Sequence, residues 1–270
     1  MPPTPLGPVE EELAKARAAY RNRGRWGEDD VLGTLNFVDD AIRAHAASLV
    51  RRGRSFSLAA DTRGFPPGRS GGVADQDAAR PSTRWSTAVS GAGHPGDAFT
   101  GRGVLLDVGR AFGDARGELP DGFPVLEEHL RDTAEAQGAT SSVRRGDIVL
   151  VRTGRLGRAR RLGEWGGYVD GNAPGLSFTT LGWLHRTEIA AVATDTWGVE
   201  VRPYEFAGAA VSPLHRIAVP DMGLPLGGMW DLEVLAEDCA ADGVHEFLLV
   251  AAPLPAGGAA GSPVNPIAVK

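Results

Sequence analysis

The sequence has little cysteine, few aromatic residues and no long apolar run. Cys239 is the only cysteine among 270 residues, so the chain cannot form an intrachain disulfide, and nothing points to an oxidising compartment. No apolar run approaches the ~20 residues that a bilayer-spanning helix needs, and the N-terminal residues lack the apolar core of a signal peptide. These absences predict a soluble protein of the cytoplasm.

A strong charge of either sign is also lacking. The formal net charge is −6, which gives no electrostatic reason to bind nucleic acid. With 42% hydrophobic residues, a chain of this length can bury a sizeable core as one large domain or two small ones. We therefore expect a globular protein whose partner is a small molecule, with neither nucleic acid nor membrane as a partner.

What the sequence does contain is an irregular alternation of helix and strand patterns. A helix is predicted from Pro8 to Tyr20, and a second follows an N-cap at Asp39 and runs to Arg52. Further strands are predicted at "SFSLAAD", "RGVLLDV", "GDIVLVRTG", "IAAVATDT" and "HEFLLVAAPL", and further helices at "VLEEHLRDTAEAQG", "TTLGWLHRT" and "DLEVLAEDCAADG". The stretch from Arg63 to Ser82, rich in Gly and Pro, predicts a loop. This alternation predicts an α/β fold with a mixed sheet.

Eight segments follow the order found in a known family. They are "RWGEDDVLGTLNFV", "RGVLLDV", "GDIVLVRTG", "APGLSFTTLGWLHR", "VATDTWGVEVRP", "SPLHRIAVPDMGLPLG", "EFLLVAAPL" and "GSPVNPIAV". Together they resemble the cyclase family that includes bacterial kynurenine formamidase and isatin hydrolase. The resemblance implies an α/β single domain over residues 25–270, with a barrel-like mixed β core flanked by helices, preceded by an N-terminal arm and helix over residues 1–24. It also implies a homodimer or homotetramer in which the arm reaches a neighbouring subunit.

The metal signature of that family is missing. The resemblance implies a divalent metal, commonly manganese or zinc, held by an H-x-G-T-H-x-D motif, a later histidine and a glutamate; such a metal lowers the pKa of its bound water to about 7. The motif occurs nowhere in this chain, and no two of its six histidines lie closer than 30 positions. By the resemblance His215 matches the later histidine, whereas Gly228 stands in place of the glutamate. We therefore expect no metal and no other cofactor. The remaining alternative is that His94, Asp97 and His215 lie together in the folded chain and bind a metal ion.

Candidate catalytic residues are His215, Arg152 and His94. His215 is either an acid/base group in the former metal pocket or a retained scaffold histidine, and His94 lies among glycines in a loop. Arg152 ends a predicted strand, where it would steady a carboxylate or enolate or else form a structural ion pair. Candidate substrate-binding residues cluster at the ends of two strands: Trp197, Thr153, Asp195, Glu200 and Arg202. The alternative for the charged ones is an internal Glu–Arg or Asp–Arg pair that fixes the loop.

Three functional classes follow from these observations. A pocket without a metal suits ring closure within one substrate, because holding a flexible molecule in a reactive conformation contributes ~7–11 kcal/mol in favourable cases. The sequence thus predicts a cofactor-free cyclase or isomerase that acts on an apolar, polyketide-like small molecule in specialised metabolism. If shape controls the reaction, no single side chain is expected to be indispensable. The alternatives are a metal-dependent amidohydrolase of the kynurenine formamidase type and a catalytically silent binding subunit.

Overall fold

The structure is a computed structural model that describes residues 8–60, 88–90, 99–163, 165, 167–206, 212–253 and 261–270. His94, Asp97 and the predicted loop from Arg63 to Ser82 lie outside these residues. Within them, no helix is long and apolar enough to cross a membrane.

Nine of the eleven described strands form one mixed sheet. The strands are β1 (Ser55–Ser57), β2 (Ala88–Ser90), β3 (Thr100–Asp107), β4 (Pro124–Val125), β5 (Ile148–Arg152), β6 (Gly175–Leu176), β7 (Ala191–Thr194), β8 (Leu226–Gly228), β9 (Glu246–Val250), β10 (Gly261–Pro263) and β11 (Ile267–Val269). The order in the sheet is β1-β11-β9-β3-β5-β7-β8-β2-β10, and β4 pairs with β6 separately. Strands β3, β5, β7 and β8 are parallel, and the pairs towards both edges are antiparallel. The sheet curls into a half barrel.

Eight described α helices cover both faces of this sheet. They are α1 (Val9–Tyr20), α2 (Asp40–Ser48), α3 (Val108–Phe112), α4 (Glu127–Gln137), α5 (Arg155–Leu162), α6 (Leu181–Arg186), α7 (His215–Ala218) and α8 (Glu233–Asp242). Helices α1, α4, α6 and α7 bury their apolar residues in the core on one face, whereas α2 and α8 pack on the other. The predicted helices "TTLGWLHRT" and "DLEVLAEDCAADG" correspond to α6 and α8.

Successive residues of the central strands enter opposite cores. Val149 and Val151 of β5 belong to one buried cluster, and Ile148 and Leu150 belong to the other, as the two-residue period of a strand requires. Strands covered on both faces read as continuous apolar runs, which is why β3, β5 and β7 were predictable. The predicted α/β single domain with a barrel-like mixed core is confirmed.

The first helix belongs to the same core as the sheet. Leu13 and Ala16 of α1 are buried among residues of α6 and α7. The face of α1 that carries these residues is therefore used within its own chain. That the arm before the helix reaches a neighbouring subunit remains a prediction.

Helix α2 ends earlier than predicted. The Asp39 side chain caps its N-terminus as expected, but the helix ends at Ser48 rather than at Arg52. The backbone N–H groups of Arg52 and Arg54 donate to the carbonyl of Lys270, each at 3.1 Å. The chain leaves the helix because it pairs with the end of β11 instead.

Candidate active site

The carboxyl ends of the parallel strands place polar residues at one edge of the sheet. Asp107 ends β3 and lies opposite Arg152, which ends β5. Asp195 follows β7, and Gly228 ends β8. Because sheets of this kind bind ligands outside the carboxyl ends of their parallel strands, this edge is the candidate site.

Arg152 is held by two carboxylates at this edge. Its Nη1 donates to Asp107 Oδ1 at 2.8 Å, and its Nε and Nη2 donate to the two oxygens of Glu233 at 3.0 and 2.7 Å. Burial lowers the pKa of the guanidinium, but the hydrogen bonds to Glu233 and the charge of Asp107 outweigh it and raise the pKa above its ordinary value. Of the two roles that the sequence left open, this geometry favours the structural ion pair.

Asp195 is fully buried beside Thr153. Its Oδ1 accepts the backbone N–H of Thr153 at 2.8 Å and the Thr153 hydroxyl at 2.7 Å, whereas its Oδ2 has no hydrogen-bond partner among the described residues. The hydroxyl of Tyr168 donates to the backbone carbonyl of Asp195 at 2.6 Å. Burial, together with the charge of Glu233, raises the pKa of Asp195 to about 6. These bonds fix the turn that follows β7.

An apolar cluster lies next to this turn. It consists of Leu156, Ala159, Trp165, Tyr168, Val169 and Met229, all buried. The partly buried Trp197, predicted to line a pocket, packs against it. Its segment is fixed by pairing, because the Met229 N–H donates to the Thr196 carbonyl at 2.9 Å. Trp197 therefore occupies an apolar surface beside the strand ends.

Glu200 and His215 form a hydrogen-bonded pair. His215 Nδ1 lies 2.7 Å from Glu200 Oε1, and Glu200 Oε2 accepts the backbone N–H of Leu214 at 3.0 Å. The Glu200 side chain is 3% exposed and the His215 side chain 25%. Because a carboxylate oxygen accepts, His215 donates its Nδ1–H and keeps the lone pair on Nε2. No described residue bonds Nε2, so this nitrogen can take up and return a proton.

The backbone around this pair is constrained. His215 is the first residue of α7. Glu200 follows Val199, whose φ of +61° lies in the left-handed region that a β-branched residue rarely adopts. Met229, next to Gly228, has a φ of +60°. Such conformations cost about 1–3 kcal/mol each and concentrate at functional sites, where the surrounding structure enforces them.

Arg202 does not form the ion pair that the sequence offered as an alternative. In the described part of the chain it bonds neither Asp195 nor Glu200 nor any other acid. Its Nη2 donates to the backbone carbonyl of Tyr168 at 3.4 Å. Glu200 is instead engaged by the first turn of α7.

The described residues do not fit the divalent metal implied by the family resemblance. They contain no group of three or more His, Cys, Asp or Glu side chains that could hold a metal ion. At Gly228, where the resemblance would place a glutamate, an added Cβ would lie 2.6 Å from the backbone oxygen of Trp197. His215, whose Nδ1 bonds Glu200, would supply a single imidazole ligand through Nε2, and one ligand does not hold a catalytic metal.

Sequence reasoning missed three residues of this edge. Asp107 and Glu233 are the acids that hold Arg152, and Tyr168 supports the turn at Asp195. Asp107 ends an apolar strand, as Arg152 does, and this shared position was a usable signal. Glu233 and Tyr168 lie far from their partners along the chain, and no local pattern marks them.

Two comparisons with known proteins match this architecture. The model of the cyclase family matches residues 55–201. A crystal structure described as a novel cyclase shares 30% of its sequence with this chain, covers 94% of this chain and 99% of that one, and has a TM-score of 0.72. The match extends over nearly the whole of both chains.

More distant structures share the fold alone. Isatin hydrolase A from Ralstonia solanacearum is 18% identical, with coverage of 86% of this chain and 98% of that one and a TM-score of 0.56. Isatin hydrolase A from Labrenzia aggregata is 16% identical, with 84% and 96% coverage and a TM-score of 0.53. Among curated proteins no sequence matches significantly. On the family model and the 30% identical structure, this chain belongs to the cyclase family.

Proposed function

We propose that the protein is an enzyme that closes a ring within one apolar small molecule, without a metal, by proton transfer at His215. The supporting observation is the buried Glu200 carboxylate bonded to His215 Nδ1 at 2.7 Å, which leaves Nε2 free to exchange a proton. An imidazole oriented by a carboxylate is the common general acid–base group of enzymes. This replaces the expectation that no single side chain is indispensable.

The proton balance of such a reaction needs one base that then becomes the acid. His215 Nε2 removes a proton from the attacking atom of the substrate, which is a carbon beside a carbonyl or a hydroxyl oxygen. That atom forms the new bond to a carbonyl carbon of the same molecule, and the carbonyl oxygen takes the electron pair. Nε2 then returns the proton to this oxygen, so no net proton is gained or lost. Glu200 stabilises the imidazolium between the two transfers.

The apolar cluster beside the strand ends supports an apolar substrate. The partly exposed Trp197, backed by the buried cluster that includes Trp165, Tyr168 and Met229, offers an aromatic surface near the turn after β7. Such a surface can hold a flexible substrate in a folded conformation, and this ordering lowers the activation barrier by ~7–11 kcal/mol in favourable cases. General acid–base catalysis raises the reaction rate by a further factor of about a hundred to ten thousand.

We assign a positioning role to the polar residues at the strand ends. The guanidinium of Arg152 is occupied by acids, and both Thr153 donors are occupied by Asp195. These bonds hold the ends of β5 and β7 in register. In this proposal they support the segment that leads to Glu200 and do not contact the substrate.

The test uses heptane-2,6-dione, whose intramolecular aldol addition gives a cyclic hydroxyketone. Loss of water from this product then gives an ultraviolet-absorbing cyclohexenone, and both products are quantified. The protein is expected to accelerate this reaction in excess chelator. His215→Ala should lower the rate by about a hundredfold to ten-thousandfold, and Glu200→Gln by about tenfold or more, with a changed pH profile, because Gln does not stabilise the imidazolium. His45→Ala is the control, since His45 is an exposed histidine of α2, and it should leave the rate unchanged.

Two results would contradict this proposal. Activity that disappears in chelator and returns with manganese or zinc, together with about one metal ion per chain by elemental analysis, would favour a metal-dependent hydrolase. A His215→Ala variant that is folded by circular dichroism and as active as the native protein would remove the acid–base role.

A further inference from the structure

Two arginines near the candidate site carry buried N–H groups without acceptors. The Nε atoms of Arg155 and Arg202 are both buried, and neither has a hydrogen-bond partner among the residues that the structure describes. Buried donors are almost always paired in proteins, and leaving one unpaired costs about 1–3 kcal/mol, more for a charged group. Two such donors in one place indicate that an acceptor from outside the chain belongs there.

The fold brings these two side chains to consecutive residues of one loop. Arg155 is the first residue of α5, directly after β5, and its Nη2 donates to the carbonyl of Gly167 at 2.8 Å. Arg202 lies in the segment after β7, and its Nη2 donates to the carbonyl of the next residue, Tyr168, at 3.4 Å. The two guanidinium groups therefore flank consecutive carbonyl groups of the same loop.

Around the side chains of Arg155 and Arg202, positive charge exceeds negative charge among the described residues. Arg155 and Arg158 both bond one carboxylate, that of Asp121, and Arg202 forms no ion pair within the described residues. Within the described residues, Asp121 thus pairs with two of these three guanidinium groups and Arg202 with no acid. Burial lowers the pKa of Arg155, and the charges of Arg158 and Arg202 lower it further, although Asp121 opposes them. An anion would relieve this excess.

Arg202 lies in the same segment as Glu200 of the proposed acid–base pair. Glu200 and Arg202 are two positions apart in a segment whose backbone bonds residues 173–176. A spacing of two in an extended segment puts both side chains on the same side, about 7 Å apart along the chain. The apolar cluster is adjacent, because Tyr168 belongs to it and also accepts from Arg202.

We propose that Arg155 and Arg202 bind a carboxylate group of the substrate, so that the molecule whose ring is closed is an apolar carboxylic acid. Guanidinium groups match a carboxylate in shape and charge, and charge-assisted hydrogen bonds are about twice as strong as neutral ones. The apolar body of the acid lies against Trp165, Tyr168 and Trp197, with its reacting atoms towards His215. In identifying the occupant as the substrate, the inference rests on the proposed function.

The experiment measures binding without turnover. Fluorine NMR of the full-length protein is recorded with 4-fluorobenzoate and with its neutral analogue 4-fluorobenzamide. The benzoate is expected to bind at least about tenfold more tightly than the amide, and Arg202→Gln should remove that difference. Arg202→Lys, which keeps the charge but not the planar fork, should give an intermediate affinity. Arg186→Gln, at an exposed arginine of α6 paired with Glu127, is the control and should bind like the native protein.

Three outcomes would overturn the inference: equal binding of the two probes, binding of neither, or unchanged benzoate binding in both Arg202 variants. Circular dichroism confirms that each variant is folded, and the lysine variant still decides the question if the glutamine variant is not. A failure of the ring-closure assay leaves these binding results unaffected. The binding experiment therefore distinguishes a failure of the carboxylate site from a failure of the proposed reaction.

Discussion

At Asp195, one carboxylate oxygen is fully used and the other has no described partner. Oδ1 accepts two hydrogen bonds from Thr153, whereas Oδ2 is buried and unpaired. A protonated carboxyl suits this setting better than a carboxylate, because burial penalises the charge and Glu233 repels it. The raised pKa of Asp195 is therefore a property of the folded state that stability measurements can detect.

Replacing Asp195 by Asn should flatten the dependence of stability on pH. The pKa of Asp195 is raised from 3.8 to about 6 in the folded protein, chiefly by burial. Its contribution to the free energy of unfolding is thus fully present below pH 3.8 and is lost as pH rises through about 6. This difference between the two pKa values of Asp195 corresponds to ~3 kcal/mol in the free energy of unfolding. Asn resembles the protonated acid and carries no charge, so the variant should lose this part of the pH dependence.

Chemical denaturation of the native protein and Asp195→Asn between about pH 4 and about pH 7 measures this effect. The variant should gain stability relative to the native protein as pH rises across this interval. Asp29→Asn, at an exposed carboxyl in the loop before Asp30, should follow the native curve. Parallel curves for the native protein and the Asp195 variant would show that Asp195 is ionised in the folded state over the whole interval.

At the scale of the element, the turn after β7 and the strand β8 are packed backbone to backbone. The N–H groups of Met229 and Trp230 donate to the carbonyls of Thr196 and Thr194 at 2.9 and 3.0 Å. Gly228 is needed at this contact because it has no side chain. The same contact fills the space that the Cβ of a glutamate at this position would require.

Gly228→Ala should destabilise the protein, whereas Gly198→Ala should not. The Cβ at position 228 would lie 2.6 Å from the Trp197 backbone oxygen, but at Gly198 it would meet nothing within 4 Å. Since the obstacle is backbone, the first substitution should lower the free energy of unfolding by about 1–3 kcal/mol. The second should change it by less than about 1 kcal/mol. Urea denaturation compares the two, and equal stabilities would show that the turn shifts at little cost.

How far the sequence predicts an element depends on where its stability comes from. Strands β3, β5 and β7 were predictable because their apolar runs are buried on both faces. Helix α5 was not predicted, since only Leu156 and Ala159 of its residues are buried. Its arginines form ion pairs with acids elsewhere in the chain, such as Asp121 and Glu118. Partners far apart in sequence leave no local periodic pattern.

The candidate site shows the same limit. Glu200 and His215 were both singled out, but as separate residues with different roles, because they lie 15 positions apart on different segments. Their pairing arises from the crossing of the chain between β7 and β8. Arg155 was not singled out, since its unpaired Nε is visible only in the folded structure. Residue types at strand ends are thus readable from sequence, whereas their bonds depend on tertiary structure.

At the scale of the whole molecule, charge is distributed unevenly. The chain carries a formal net charge of −6, yet within the described residues Arg155 and Arg158 share the carboxylate of Asp121, and Arg202 bonds no acid. A local positive excess in an otherwise acidic protein focuses the electric field at one place and attracts anions there. The distribution supports a small anionic ligand, and the acidic remainder gives no reason to bind a polyanion.

Helix α1, near the start of the chain, and Lys270, at its end, are both attached to the rest of the fold by buried contacts. Helix α1 contributes Leu13 and Ala16 to the core. Beside β11, the buried ammonium of Lys270 pairs with Asp238 and Asp242 at 3.0 and 2.8 Å. Both connections lie within one chain. The inner face of α1 is therefore not available to a partner, and contact of the arm before this helix with another subunit remains a prediction.

We expect the protein to be a homodimer or larger in solution, as the family resemblance implies. Light scattering at micromolar concentration should give a multiple of the 28.3 kDa chain mass. If residues 1–7 make the contact, their removal should lower this mass towards that of one chain without unfolding it, because the core contacts of α1 remain. Leu13→Ala is the contrasting change: it creates a cavity in the core and should lower the free energy of unfolding by about 2–5 kcal/mol. A full-length protein that scatters as a 28.3 kDa monomer would show that the arm does not join subunits.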